Sequence, residues 1–131
     1  MNRDKATQLT LFLMRAVAGL ILAQAGTVIV FGWFGGMPGG AKFEIMTQMG
    51  IGGVLETVGG TLVAIGLLTR PAAFIASGVM AVAYFQFHAT KSPWPSQNQG
   101  GEAALLSVIF LFISVNGAGP YSLDALVAKK R

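Results

Sequence analysis

The sequence predicts an all-α fold, an integral membrane bundle of four antiparallel helices. Composition is the first reason: 53% of residues are hydrophobic and 11% charged, with mean hydropathy +0.65. Soluble domains run near 25% charged, so too few charges remain here to coat a water-soluble globule. Length is the second. Four mostly apolar stretches, residues 9–34, 45–69, 72–89 and 102–118, approach the ~20 residues that a span requires. The third is the punctuation between them: Gly35-Gly36-Met37-Pro38-Gly39-Gly40, Arg70-Pro71, Ser92-Pro93-Trp94-Pro95 and Gly117-Ala118-Gly119-Pro120. No internal repeat or low-complexity segment divides the chain, and residues 1–131 read as one domain.

The first stretch carries Arg15 and Gln24. Its charged start and Ala23-Gln24-Ala25 imitate a cleavable signal peptide, but Arg15 interrupts the apolar run and the run continues to Phe34. A retained first span is therefore expected. The second stretch organises the rest. It holds one carboxylate, Glu56, well inside, at a cost of at least ~2.5–3.5 kcal/mol on insertion scales unless the group faces protein or water. At 100° per residue, Gly52, Gly53, Glu56, Gly59, Gly60 and Gly66 share one face, while Ile51, Val54, Val58, Leu62 and Ile65 cover much of the remainder. Small residues let a neighbouring backbone approach, so the acid is expected to point into a tight helix–helix contact. A polar residue at a water-filled edge is the alternative.

A hinge of a residue or two at Arg70-Pro71 is expected to fold the third stretch back as an antiparallel hairpin. Ser77, Ala81, Tyr84 and His88 then form an i, i+4, i+7, i+11 stripe that suits an inward face. Glu102 marks the start of the fourth stretch. Arg3, Lys5, Arg70, Lys129, Lys130 and Arg131 fall on one side of this topology and Lys42 and Lys91 on the other. The bias places both termini in the cytoplasm, with Trp33 and Trp94 at the outer interface.

The helical rise puts Arg15 roughly 9 Å from the cytoplasmic end of the first span and Glu56 roughly 20 Å from that side, with Gln24 at a similar level. Glu56, His88 and Glu102 thus gather in the outer half, near Gln24, Tyr84 and the loop amides Gln97, Asn98 and Gln99. An acid, an imidazole and a second acid can share and relay protons. A quinone head group needs hydrogen-bond partners at its oxygens and a proton path, and this cluster supplies both. Glu56, His88 and Glu102 are the candidate proton-handling residues; Arg15, Gln24, Tyr84 and Asn98 are candidate binding residues. Structural readings stand beside these. Glu56 can pair with His88 or with Arg15 to hold the spans, Arg15 can snorkel to the headgroups, and Glu102 can complement a helix dipole.

Other chemistries find less support. Cys is absent, which excludes disulfides, thiol redox chemistry, Cys-ligated zinc and iron–sulfur clusters within the chain. One His forbids bis-His haem ligation, although a His–Met pair stays open, and no ligand pair has metal-site spacing. No metal site is expected. The net charge of +4 comes mostly from the termini, with no basic stripe interleaved with aromatics, so nucleic acid is not an expected partner.

Arg15 with Gly19 and Gly26, Glu56 followed by Gly59-Gly60, residues 66–72 (GLLTRPA), Phe87-His88, Gly101-Glu102 and residues 117–124 (GAGPYSLD) occur in an order and spacing that resemble the DoxX family of small four-helix membrane proteins. Ala25 and Ile29 stand where many members carry His and Lys. The resemblance implies a multi-pass protein of the cytoplasmic membrane, associated with a quinone-linked oxidoreductase or an oxidative-stress complex. Electrons would come from a redox partner protein, since no redox centre is visible in the chain. The alternatives are a non-catalytic membrane scaffold or assembly protein, including a homo-oligomer, and a proton-coupled small-solute transporter.

Overall fold

The computed structural model describes residues 2–130, which form six α-helices and no strand. Arg131, counted above among the cytoplasmic cations, lies outside the described residues. Helix α1 runs Arg3–Phe31; the Asn2 side chain accepts from the Lys5 N–H at 2.8 Å and Gly32, at φ +70°, ends it. Helix α2 runs Gln48–Ile65, capped by the Thr47 hydroxyl and closed by Gly66 at φ +75°. Helix α3, Thr69–Ala83, continues as a π-helical turn over Tyr84–His88, where the Ala89 N–H reaches the Tyr84 carbonyl at 2.8 Å. Short α4 (Pro95–Asn98) precedes α5 (Gly101–Asn116), and α6 (Leu123–Lys129) follows with Ser122 as its cap.

The hairpin between α2 and α3 forms as the sequence predicts, but its hinge is Gly66-Leu67-Leu68. Arg70 and Pro71 lie inside the first turn of α3. Proline is tolerated there because the first N–H groups of a helix have no intrahelical acceptor to lose. By length and hydropathy α1 and α2 suffice to cross a membrane, while α5 is a shorter apolar helix.

Two helix pairs make the body. On α1, a Cβ at Gly19 would lie 2.6 Å from the Gly60 carbonyl oxygen, and one at Gly26 would lie 2.6 Å from that of Gly53. The α1 and α2 backbones are therefore in direct contact, and glycine is required at these crossings. Helices α3 and α5 meet at a reciprocal pair: the Ser77 hydroxyl donates to the Ser107 carbonyl at 2.7 Å and the Ser107 hydroxyl to the Ser77 carbonyl at 3.1 Å. Leu22, Val63, Phe110 and Ile113 are fully buried where the pairs join. The outside is apolar: Leu13, Val17 and Leu20 on α1, Val58 on α2, Phe74 on α3, and Leu105, Val108 and Val115 on α5 are all exposed.

The glycine face of α2 does not serve one contact. Gly53 and Gly60 pack on α1, Gly59 approaches Ala72 and Ala76 of α3, and a Cβ on Gly52 would meet nothing within 4 Å. Glu56 sits between these surfaces, beside a cavity instead of inside a close helix crossing.

Candidate functional site

That cavity, of about 640 Å³, lies between the N-terminal half of α2 and the end of α3. Its wall is mostly apolar, with Ile51, Leu55, Val79, Val82 and Phe87, and its polar contributors are Gln48, Glu56 and His88. Ile51, Leu55, Val82 and Phe87 are also exposed on the molecular surface, so the mouth opens sideways between the two helices. Glu56 is 8% exposed, and its Oε2 is buried with no hydrogen-bond partner among the described residues. Buried polar atoms are nearly always satisfied, and an orphaned carboxyl oxygen on an apolar cavity wall fits a ligand that brings the missing group.

The cavity is held open by two glycines that face it. Gly52 stands one helical turn before Glu56, Gly78 lies across from it on α3, and at neither would a Cβ find an atom within 4 Å. Glycine inside a helix costs roughly 0.5–1 kcal/mol relative to alanine. Here, unlike at Gly19 and Gly60, no neighbouring backbone demands it. Its effect at these two positions is empty volume.

His88 reaches the cavity from the π turn, and its partner is neither carboxylate. Its Nδ1 lies 3.0 Å from the Asn98 carbonyl oxygen. A carbonyl can only accept, so this contact assigns the proton to Nδ1 and leaves Nε2 of the neutral ring as a free acceptor. Asn98 is 0% exposed and ties the loop together. Its Nδ2 donates to the Ser92 carbonyl at 2.9 Å and to the Tyr84 hydroxyl at 3.3 Å, and its Oδ1 accepts from the Gly100 N–H at 2.8 Å. Tyr84 and Asn98 thus orient the imidazole and do not line the cavity.

The remaining candidates lie elsewhere. Glu102 is exposed in the first turn of α5, where an acid suits the helix dipole. Gln24 is exposed on the outer side of α1, away from the cavity. Arg15 neither snorkels nor pairs with Glu56. It is 1% exposed and donates from Nη1 to the Ala118 carbonyl at 2.7 Å and from Nη2 to the Tyr121 carbonyl at 2.8 Å, with Phe12 beneath it. The segment after α5 folds over the helix ends and supplies both of these acceptors.

Asp124 completes this closure. Its carboxylate accepts from the Leu68 and Thr69 N–H groups at 2.8 and 3.0 Å, capping α3. Burial pushes the Asp124 carboxyl up, but the Thr69 side chain and N–H, the Leu68 N–H and the Arg15 charge together hold it below its ordinary value. Although near that carboxylate, the Thr69 hydroxyl is buried without a hydrogen bond of good geometry among the described residues.

Sequence reasoning did not single out Gln48, Gln86, Gly78 or Asp124. The side-chain amides of Gln48 and Gln86 bond to each other, Nε2 to Oε1 at 2.5 Å, bridging the start of α2 and the π turn beside the cavity. No local pattern announces a pair 38 residues apart. Gly52 had a signal: it precedes Glu56 by four residues, hence by one turn on the same face.

The DoxX family model matches residues 10–89 of the chain. An uncharacterized protein of Haemophilus influenzae is 35% identical over 132 residues, covering 98% of this chain and 98% of that one. The inner membrane protein YqjF of Escherichia coli is 30% identical over 123 residues, covering 86% of this chain and 94% of that protein. No solved structure matches.

Proposed function

The chain belongs to the DoxX family of membrane proteins, and from that premise we propose that it crosses the cytoplasmic membrane four times, through α1, α2, α3 with its π turn, and α5, with both termini in the cytoplasm. In this arrangement the α2–α3 cavity receives the ring of a quinone–quinol pair from the lipid phase and serves a redox partner protein. The apolar belt on all four long helices supports the embedding, as does the inner-membrane description of the Escherichia coli relative. The excess of Lys and Arg at the termini and at Arg70 supports the orientation.

One observation carries the site: the buried Oε2 of Glu56 has no partner among the described residues and stands at the wall of a laterally open apolar cavity. A volume of about 640 Å³ lies in the usual range for small-molecule sites, and an apolar wall with few polar groups suits a ring bearing two oxygens. A quinone bound there supplies two-electron, two-proton chemistry. The residues supply the rest: Glu56 holds or takes a proton at one ring oxygen, His88 meets the other with Nε2, Gly52 and Gly78 admit the ring, and the apolar wall excludes water. Titrating decylquinone into protein held in lipid nanodiscs tests this. Saturable binding that Glu56→Gln weakens is expected. Absence of binding, or binding indifferent to residue 56, counts against it.

A second reading, a scaffold or assembly subunit, is favoured by Gln24. Its amide is exposed on an apolar helix face, and in hydrocarbon such a group finds its hydrogen bonds on another helix. Cross-linking of detergent-free membranes, compared with Gln24→Leu, reads whether copies of the chain meet there.

A further inference from the structure

The hydrogen-bonding polarity of the cavity is set by a residue outside it. The Asn98 main-chain carbonyl occupies His88 Nδ1 at 3.0 Å, and Asn98 is itself immobilised by four contacts, to Ser92, Tyr84, Gly100 and the imidazole. Gly100 closes the packing: a Cβ there would lie 2.7 Å from the His88 Cβ and 2.8 Å from the Asn98 Oδ1. The ring cannot turn over without breaking this loop, so its uncommitted nitrogen, Nε2, is an acceptor whenever the imidazole is neutral. Of the two other polar groups on the wall, Gln48 is engaged through its amide with Gln86, and the buried Oε2 of Glu56 has no donor among the described residues.

We infer that the cavity selects the hydroxyl-bearing, hydrogen-bond-donating form of its ring ligand over the dicarbonyl form. A ring with two hydroxyls donates one hydrogen bond to His88 Nε2 and one to Glu56. A ring with two carbonyls offers only acceptors, and at His88 it sets an oxygen lone pair against a nitrogen lone pair. This rests on the reading above that the cavity takes a quinone-type ring, and it adds which redox state is held more tightly. Leaving a buried acceptor unmet costs enough for about a tenfold difference in affinity.

The test compares decylhydroquinone, its dimethyl ether and decylquinone, titrated anaerobically at pH 8 into the full chain in nanodiscs. The chain has one His, so a 15N-imidazole spectrum reports this site alone. The hydroquinone is expected to bind about tenfold more tightly than the other two and to shift the Nε2 resonance, while Nδ1 keeps its proton throughout. His88→Leu is expected to narrow the preference for decylhydroquinone, leaving only the share that Glu56 provides, and an undiminished preference in that variant would overturn the inference. If decylquinone binds as tightly as decylhydroquinone, or if Nε2 carries the proton, the inference is overturned while the cavity reading stands. If none of the three binds, both fail.

Discussion

Glu56 and His88 line the same cavity, yet neither is the other's hydrogen-bond partner. The imidazole is committed to a loop carbonyl, and the buried Oε2 of the carboxyl to no group among the described residues. A pair evolved only to clamp α2 to α3 would close on itself. Here the space between the two groups is kept open by Gly52 and Gly78, and the clamp is provided separately by Gln48 and Gln86.

Glycines in this chain divide into two kinds, and substitution separates them. Gly60→Ala places a Cβ 2.6 Å from the Gly19 carbonyl oxygen and is expected to cost about 1–3 kcal/mol by overpacking. Gly78→Ala meets nothing within 4 Å and is expected to gain about 0.5–1 kcal/mol from helix propensity. Unfolding in mixed micelles measures both. Gly78→Leu is expected to fold and to lose decylquinone binding, because its side chain occupies the cavity.

Removing the Arg15 guanidinium leaves the Ala118 and Tyr121 carbonyls without donors. Arg15→Leu is expected to destabilise by about 3 kcal/mol, and Arg15→Lys by less, since one ammonium cannot reproduce the two-pronged geometry. Faster hydrogen exchange confined to residues 117–130 is the expected signature. Exchange unchanged in that segment would contradict the role given to Arg15.

The low Asp124 value makes the docking of α6 acid-sensitive. A carboxyl held below its unfolded value contributes stability that is fully present above that value, ordinarily ~3.9, and is lost as pH falls through the folded value. Exchange protection of the Leu68 and Thr69 amides is therefore expected to hold from pH 8 to about 5 and to fall in more acidic solution. In Asp124→Asn it is expected to be weak at neutral pH and flat across the range.

The orientation is testable because the chain has no Cys. A single Cys at Asn2 or Lys130 is expected to escape a membrane-impermeant maleimide added to spheroplasts, and one at Gln97 to react. The reverse pattern would invert the topology.

What the sequence made legible is what local periodicity encodes. Gly53 and Gly60 are two turns apart on one face of α2, and that spacing announces a close approach by a neighbouring helix; that Gly19 and Gly26 of α1 make it is seen only in the packing. The burial of Glu56 was legible for the same reason. The role of Arg15 was not, because its acceptors lie 103 and 106 residues away, and they are main-chain carbonyls, which no side-chain pattern marks. Nor was the π turn, since an i→i+5 bond leaves no hydropathy signature, although it fixes where the His88 ring stands. Periodicity placed Gly52 and Gly53 on the same face, and only packing shows that one touches a backbone and the other a void.

The central claim is that the Glu56 carboxyl is reachable from the lipid phase through a cavity that a quinone-type ring fills. A lipid-soluble carbodiimide, which modifies carboxyls in apolar surroundings, followed by peptide mass analysis, tests it most directly. Glu56 is expected to be modified in native membranes, and decylquinone or Gly78→Leu is expected to protect it. Modification of Glu56 at the same rate with and without decylquinone, or no modification at all, would contradict the account.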